Sequence, residues 1–486
     1  MSDLIKITKS KITCTLGPAT DSPGKIKTLS DIGMDVARLN FSHGTLEYKE
    51  NLFNTVRNVD PTLAILCDIQ GPKIRIGEIG GNGANLITGN KTIITTEKIV
   101  GDENRFTLLY EPFHQEAEIG DLIFINDGIV CVEVESIHET DITCNILSGG
   151  FISTRKGVNL PHTNISLGVP TPKDVEDLKL IAKLDPEYVA ISFVKDHNDV
   201  LRVKKVLSEN GNDNIKLISK IERPIALENF DSILKVSDGI MVARGDLGVE
   251  IPPEDVLPAQ KEMITKSNVA GKPIIVATQM LESMVNAPVP TRAEVADVFN
   301  AIEDGADAVM LSAETAAGKF PFEAVEIMER IIKVSEAQMP LRNPDDYDSE
   351  EETIAEIVGH LVFSSCKEFS DMSLKDAKIM CLTHSGLSAR LVSKYRPTLP
   401  ILAITSQQKT ARELRLVWGV EPLWIPDIDK ETTNVAKIQQ STKIALEKGY
   451  IDKDEKLIIA GNIFFAPART NMLSIFAVQD ILDSMG

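Results

Sequence analysis

Short apolar strands alternate with amphipathic helices through most of this chain, and the alternation breaks once. Strand candidates are Lys11–Pro18, Val36–Ser42, Leu63–Gly71, Tyr188–Val194, Lys216–Glu222, Gly239–Asp246, Pro273–Met280 and Ala308–Glu314. Each is apolar through most of its length, as a strand covered on both faces must be. Helical patterns such as Thr45–Arg57, Pro172–Lys183, Pro258–Ala270 and Thr291–Asp304 lie between them. Start signals stand at Ser22-Pro23, Thr171-Pro172 and Pro290-Thr291. Eight strand-helix repeats predict an α/β chain built on a (β/α)8 TIM barrel.

The break falls between the third and fourth strands. Residues 74–167 are rich in Thr, Ile, Val and Gly, with the turn signal Asn126-Asp127-Gly128 between two alternating runs. That predicts a β-rich domain inserted in a barrel loop. The remaining barrel segments, 1–73 and 168–336, hold about 240 residues, close to the roughly 250 one barrel needs. After the polar stretch that begins at Arg342 the pattern resumes. Helices are expected at 352–369, 386–395, 408–417 and 432–448. Strands are expected at Lys378–His384, Ile401–Thr405, Val420–Ile425, 456–463 and 473–479. Residues 337–486 therefore read as a separate open α/β domain.

Composition excludes several function classes. The net charge of −20 argues against a nucleic-acid partner. No run of 18 apolar residues predicts a membrane span, and the first residues lack a secretory pattern. The six cysteines are scattered with no CxxC pair, so neither a zinc site nor a disulfide framework is implied. A cytoplasmic location is expected.

Barrel enzymes do their chemistry at the C-terminal ends of the strands. Polar residues gather there repeatedly: Arg38, Asn40, Ser42 and His43; Asp68, Gln70, Lys73 and Arg75; Lys220 and Glu222; Arg244 and Asp246; Thr278 and Gln279; Ser312 and Glu314. Lys220 and Glu222 share a strand face. Asp246 follows one helix-plus-strand unit later, expected at the next strand's end. Two carboxylates and an ammonium at one mouth suit a hard divalent cation and an anionic substrate.

Arg38–Gly44 (RLNFSHG), Leu217–Glu222 (LISKIE), Gly239–Glu250 (GIMVARGDLGVE) and Ala277–Met284 (ATQMLESM) closely resemble the pyruvate kinase family. The match extends over Lys11–Thr20, Lys156–Pro161, Thr291–Glu294 and Leu311–Thr315, in the family's order. The resemblance implies phosphoryl transfer from phosphoenolpyruvate to ADP. By that resemblance Glu222 and Asp246 hold Mg2+ or Mn2+, while Lys220 and Arg38 hold the phosphoryl group. The backbone at Ala243, Arg244, Gly245 and Asp246 grips the substrate carboxylate. Thr278 lies near the carbon that is protonated, and Ser312 and Glu314 order the proton path. His43, Arg75 and Lys156 match positions near ADP, under an inserted domain that serves as a lid. A homotetramer is expected on the same ground.

One departure stands out. Potassium-dependent members of the family read Thr-Lys-Gly-Pro-Glu after the matching Asp; this chain reads Ile69-Gln70-Gly71-Pro72-Lys73. The potassium ligands would be Asn40, Ser42, Asp68 and the Ile69 carbonyl. Lysine for glutamate shifts local charge by +2, so Lys73 is expected to replace the monovalent cation. In the C-terminal domain Thr383, Ser385, Gly386 and Ser388 form a phosphate-type loop, with Arg469 on a neighbouring segment. The family implies a phosphorylated effector there. The competing readings are a metal-dependent aldolase acting on a pyruvate enolate, which would lack the lid, and a non-catalytic sensor, which would carry a damaged site.

Overall fold

The computed structural model describes residues 8–161, 163, 165–339, 353–371, 376–431, 433–462 and 470–485. Eight parallel strands close into a barrel: Lys11–Thr15, Met34–Asn40, Ala64–Ile69, Tyr188–Ile191, Lys216–Ile221, Gly239–Ala243, Ile274–Ala277 and Ala308–Leu311. Each neighbours the next in sequence, and the first pairs with the last. Side chains pointing inward, among them Val36, Leu66, Ala190, Ile218, Met241, Ile275 and Met310, fill the interior. The larger core lies between the strands and the surrounding helices. Thr171 and Thr291 each cap their helices with a reciprocal box, using Asp174 and Glu294.

Several boundaries differ from expectation. The helix expected from Pro258 begins at Pro253, because both prolines are start signals and the earlier one prevails. The sixth strand stops at Ala243, so Asp246 sits in the first turn of a short helix, Arg244–Glu250, not at a strand end. The seventh strand stops at Ala277, and Thr278 and Gln279 follow with φ of 70° and 55°.

The chain leaves the barrel after the third strand. Gly71 has φ +65°, and a Cβ there would lie 2.7 Å from the Ser192 carbonyl oxygen, so only glycine fits this exit. Seven strands then form a sheet in the order Ile74–Arg75, Gly157–Asn159, Leu122–Ile125, Val130–His138, Asp141–Ser148, Lys91–Thr95, Arg105–Thr107. The expected turn joins Leu122–Ile125 to Val130–His138, with Asn126, Asp127 and Gly128 all at positive φ. The entry strand pairs with Gly157–Asn159, so the insertion returns to the point it left.

The C-terminal domain is a five-stranded sheet in the order Val420–Trp424, Ile401–Thr405, Ala377–Leu382, Lys456–Gly461, Met472–Ala477, the last antiparallel. The helix expected over 408–417 breaks after Glu413 into the 3-10 turn Leu414–Leu416, and a short helix, Val478–Asp483, ends the chain. That 3-10 turn has a purpose in packing: Leu416 is fully buried among the inward-facing barrel residues and closes the barrel floor.

Charges tie the two domains beneath that floor. Arg396 grips both oxygens of Asp307 at 3.0 Å and also donates to Asn268 and the Gly305 carbonyl. Arg412 donates to Glu187 at 2.6 Å, and Arg57 meets the same carboxylate. Glu413 is buried beside them, and burial pushes its carboxyl up to about 7 despite Lys216, Arg390 and Lys409 nearby. A carboxyl that keeps its proton when folded but loses it when unfolded favours unfolding as pH rises. Its stabilising contribution is complete below about pH 4.5, where both states are protonated, and is lost by about pH 7. Glu413→Gln is expected to exceed the parent in stability at pH 7.5 by roughly 1–3 kcal/mol, with the difference shrinking toward pH 5. Urea unfolding of both proteins across this range checks it; an unchanged difference contradicts the assignment.

Candidate active site

The C-terminal mouth of the barrel is organised around Asp68. Third-strand Asp68 pairs across to Asn40 of the second strand, whose Arg38 is two residues back on the same face. Arg38 Nε donates to one Asp68 oxygen at 2.8 Å, its Nη2 forms an ion pair with the same oxygen at 2.8 Å, and its Nη1 donates to Thr15 Oγ1 at 2.8 Å. The other Asp68 oxygen faces Lys220 Nζ at 3.3 Å and Ser192 Oγ at 3.3 Å. Burial opposes ionisation of Asp68, but Lys220 and then Arg38 outweigh it and hold the carboxyl below its usual range.

Lys220 also reaches Ser192 Oγ at 2.6 Å and Glu222 Oε1 at 2.9 Å. Burial alone would discharge this ammonium; Asp68 and then Glu222 keep it above the usual lysine value. The second Glu222 oxygen accepts the Phe193 N–H at 2.6 Å. Burial raises the Glu222 carboxyl above the ordinary range; Lys220 opposes this and Asp246 adds to it. That repulsion marks Asp246 as a near neighbour. Asp246 itself accepts from Lys73 Nζ at 2.9 Å and from Asn159 Nδ2 at 3.5 Å.

Thr278 closes the next side of the mouth. Its hydroxyl donates to the Ala277 carbonyl at 2.5 Å and accepts the Gly245 N–H at 2.7 Å. A β-branched residue at φ +70° is a strained backbone, held by its surroundings. Phe193 at the end of the fourth strand is similarly left-handed, at φ +58°. Fully buried Glu314 ties the eighth strand's end to the loop after the seventh, accepting from Ser312 N at 2.7 Å and Leu281 N at 3.1 Å.

The expected residues divide into those brought together and those turned elsewhere. Arg38, Asp68, Lys220 and Glu222 form one bonded cluster, Asp246 pairs with Lys73, and Thr278 bonds the neighbouring Gly245. Arg244 does not present its guanidinium to them. That group turns onto Asp297 at 2.6 Å and the Thr278 carbonyl at 2.9 Å, so Arg244 brings only backbone to the segment Ala243–Asp246. The Gly245 N–H is likewise already taken by Thr278. In the monovalent-cation region Asn40 Oδ1 accepts the Ser42 N–H at 3.0 Å, and the Ile69 carbonyl accepts from Ser192 at 2.8 Å. Lys73 makes its ion pair with Asp246, across the mouth from that region.

Exposed His43 lies near Arg75; partial desolvation, then Arg75 and three further cations, lower its pKa. Arg75 donates to the Arg155 carbonyl at 2.9 Å and pairs with Gly157, next to Lys156, at the root of the inserted domain. The C-terminal loop is remote from all of these. Gly386 there has φ +79°, Ser388 bonds Thr470, and Arg390 donates to the Ser385 carbonyl. Thr383 N donates back into the sheet, to the Ile404 carbonyl. Arg469 lies outside the described residues.

Sequence reading passed over Ser192, Phe193, Asn159, Arg223 and Glu250. Ser192 and Phe193 follow the fourth strand directly, so the strand-end rule that found the others also covers them. Asn159, Arg223 and Glu250 meet only through the tertiary fold.

The architecture and mouth define a barrel enzyme with a cluster of paired charges at its C-terminal mouth, beside an inserted β domain. Comparisons narrow this. The family model for the pyruvate kinase barrel domain matches residues 7–325, and that for the pyruvate kinase alpha/beta domain matches 364–476. A pyruvate kinase of Staphylococcus aureus is 40% identical over 481 residues, covering 97% of this chain and 81% of that protein. One from Sporosarcina psychrophila is 38% identical over 484 residues, covering 98% and 81%. The crystal structure of a pyruvate kinase from Cryptosporidium parvum superposes with a TM-score of 0.89 at 35% identity, covering 97% of this chain and 96% of that one. The chain belongs to the pyruvate kinase family and is a phosphotransferase.

The Glu314 carboxylate supplies two acceptor oxygens to two backbone N–H groups, and an amide would supply only one. Glu314→Gln is expected to lower stability by about 1–3 kcal/mol, read as a lower thermal midpoint. An unchanged midpoint would show that the two bonds do not hold the Thr278 loop.

Proposed function

We propose that this chain transfers the phosphoryl group of phosphoenolpyruvate to ADP, giving ATP and pyruvate, and that it does so without potassium. The observation that carries the reading is the Asp68–Arg38–Lys220–Glu222 cluster beside Asp246. Arg38 and Lys220 are two fixed cations, held in place by a buried carboxylate, at the mouth where a phosphoryl group would sit. Prepositioned charge of this kind stabilises a phosphoryl group in transit and the enolate left behind.

Among the described residues no group of three or more His, Cys, Asp or Glu side chains converges on a metal site. Two carboxylates, Glu222 and Asp246, are a fitting donor set for Mg2+ or Mn2+, which take their remaining ligands from water and substrate oxygens. When bound, such an ion neutralises charge on the transferring group. Thr278 suits protonation of the enolate: its hydroxyl is fixed by two bonds, and water would relay the proton, with Ser312 and Glu314 ordering the segment behind it. The Ala243–Asp246 backbone would meet the substrate carboxylate, the Gly245 N–H only on leaving the Thr278 hydroxyl that now holds it. His43, Arg75 and Lys156 would meet ADP where the inserted domain closes as a lid and excludes water.

The potassium-independent reading rests on Lys73 standing where potassium-dependent members carry glutamate; its ammonium is a built-in positive charge at the rim, although it pairs with Asp246 at 2.9 Å and not with Asn40, Ser42 or Asp68. A homotetramer fits two exposed apolar surfaces of the C-terminal domain. One is the stripe Ile354, Ile357 and Leu361 on the helix Ile354–Asp371; the other is Ile475 and Phe476 on the edge strand. The Thr383–Ser388 loop would take a phosphorylated small molecule. No described helix is long and apolar enough to cross a membrane; a cytoplasmic enzyme without a nucleic-acid or membrane partner is the reading that accords with the acidic composition.

Pyruvate formation from phosphoenolpyruvate, ADP and Mg2+ in potassium-free buffer tests this, with Lys220→Met beside the parent. The parent is expected to be active and the variant slower by about 10²–10³-fold or more. A folded parent that makes no pyruvate, with or without potassium, would shift weight to the aldolase reading. Rates of the parent in sodium, potassium and tetramethylammonium salts are expected to be equal. Lys73→Glu is expected to be slow in tetramethylammonium and to recover with potassium; strong potassium stimulation of the parent would sink the Lys73 assignment.

A further inference from the structure

We infer that Arg223, Glu250 and Asn159 form a latch that couples the inserted lid to the two carboxylates at the mouth. Arg223 directly follows Glu222 at the end of the fifth strand. Glu250 ends the short helix whose first turn carries Asp246, four residues earlier and so on the same helical face. Asn159 ends the lid strand Gly157–Asn159, where the chain returns toward the barrel. Arg223 Nε lies 3.4 Å from Glu250 Oε2, and its Nη2 lies 3.4 Å from the Leu160 carbonyl. Asn159 Nδ2 donates to Glu250 Oε1 at 3.2 Å and approaches Asp246 Oδ1 at 3.5 Å. One network of three side chains thus joins the strand end bearing Glu222, the helix bearing Asp246 and the root of the lid.

Two features argue for a positioning role over a purely structural one. The ion pair is buried, at 9% and 3% side-chain exposure, in a pocket walled by Pro72, Ile74, Val158, Leu160, Ile165 and Phe193. A buried pair in apolar surroundings adds little net stability, because desolvation consumes most of the attraction. Its bonds are also slack. Rim contacts run from 2.6 Å for Lys220 to Ser192 and 2.9 Å for Lys73 to Asp246 up to 3.3 Å for Lys220 to Asp68, while every latch contact lies at 3.2 Å or longer. Long bonds between two domains can shorten when one turns toward the other. Inward motion of the lid would move Asn159 and the Leu160 carbonyl, and the latch would pass that motion to the segments bearing Glu222 and Asp246. Lid closure over the nucleotide and the spacing of the carboxylates are then one motion.

Arg223→Met keeps the bulk of the stem but removes the charge and both donors. The full-length, metal-free protein is first checked for folding by circular dichroism. Amide hydrogen exchange over residues 152–161 is expected to quicken relative to the parent, and Mn2+ affinity, measured by electron paramagnetic resonance, to fall about tenfold or more. Arg223→Lys retains the charge but cannot reach Glu250 and the Leu160 carbonyl together, and is expected to fall between the two. The latch is refuted if folded Arg223→Met matches the parent in lid exchange and binds Mn2+ within about twofold of it. It is equally refuted if Arg223→Lys matches the parent in both, since charge alone would then suffice. Neither readout needs pyruvate formation, so failure of the catalytic reading and failure of the latch remain distinguishable.

Discussion

Asp68 is the interaction on which the mouth depends. It is a carboxylate buried to 1% exposure, and such a charge is tolerable only when paired and hydrogen-bonded. Arg38 bonds and pairs with it from the second strand, and Lys220 faces it from the fifth. Each cation would carry a heavy desolvation penalty alone. Asp68 offsets that penalty for both, and their positions are set before any substrate arrives. Ser192 completes the arrangement by bonding Lys220 and the Ile69 carbonyl at once. Loss of Asp68 would leave buried Arg38 without its counter-charge and Lys220 with Glu222 alone, which is why it outranks any single group that would touch the phosphoryl.

The rest of the molecule keeps that cluster in place from above and below. Beneath, Leu416 fills the barrel floor, and the Arg396–Asp307 and Arg412–Glu187 pairs fasten the C-terminal domain against it. Above, the inserted sheet begins and ends on adjacent strands, so its root is narrow, and Gly71 allows the chain to leave past Ser192 without a clash. Strain collects at the rim: Phe193, Thr278 and Gln279 hold left-handed backbones. Thr278 keeps its conformation because Gly245 donates to its hydroxyl and Glu314 anchors the loop behind it.

Local pattern made much of this legible. Apolar runs bounded by capping residues marked the eight barrel strands, and Asn126-Asp127-Gly128 marked the hairpin, because both signals are short-range steric and solvation effects. Boundaries failed where two local signals competed, as with the prolines at 253 and 258, or where the strand-to-helix change left no mark, as after Ala243. The partners of Lys73 and Arg244 were not legible at all. Arg244 follows a strand end like the others, yet its guanidinium turns to Asp297 on another helix, and only the distance between elements decides that.

The sequence by itself determined the alternation of elements, the inserted β segment and the presence of Arg38, Asp68, Lys220, Glu222, Asp246 and Thr278 in or shortly after the barrel strands. Periodicity and turn chemistry act over a few residues, so they can be read from a string. Tertiary structure alone decided that Asp68 takes both Arg38 and Lys220, that Lys73 meets Asp246, and that Leu416 plugs the barrel. It also brought Asn159, Arg223 and Glu250, from three separate segments, into one network. Those contacts join residues tens to hundreds of positions apart, and only closure of the barrel, which cancels most of the chain's freedom at once, brings them within bonding distance.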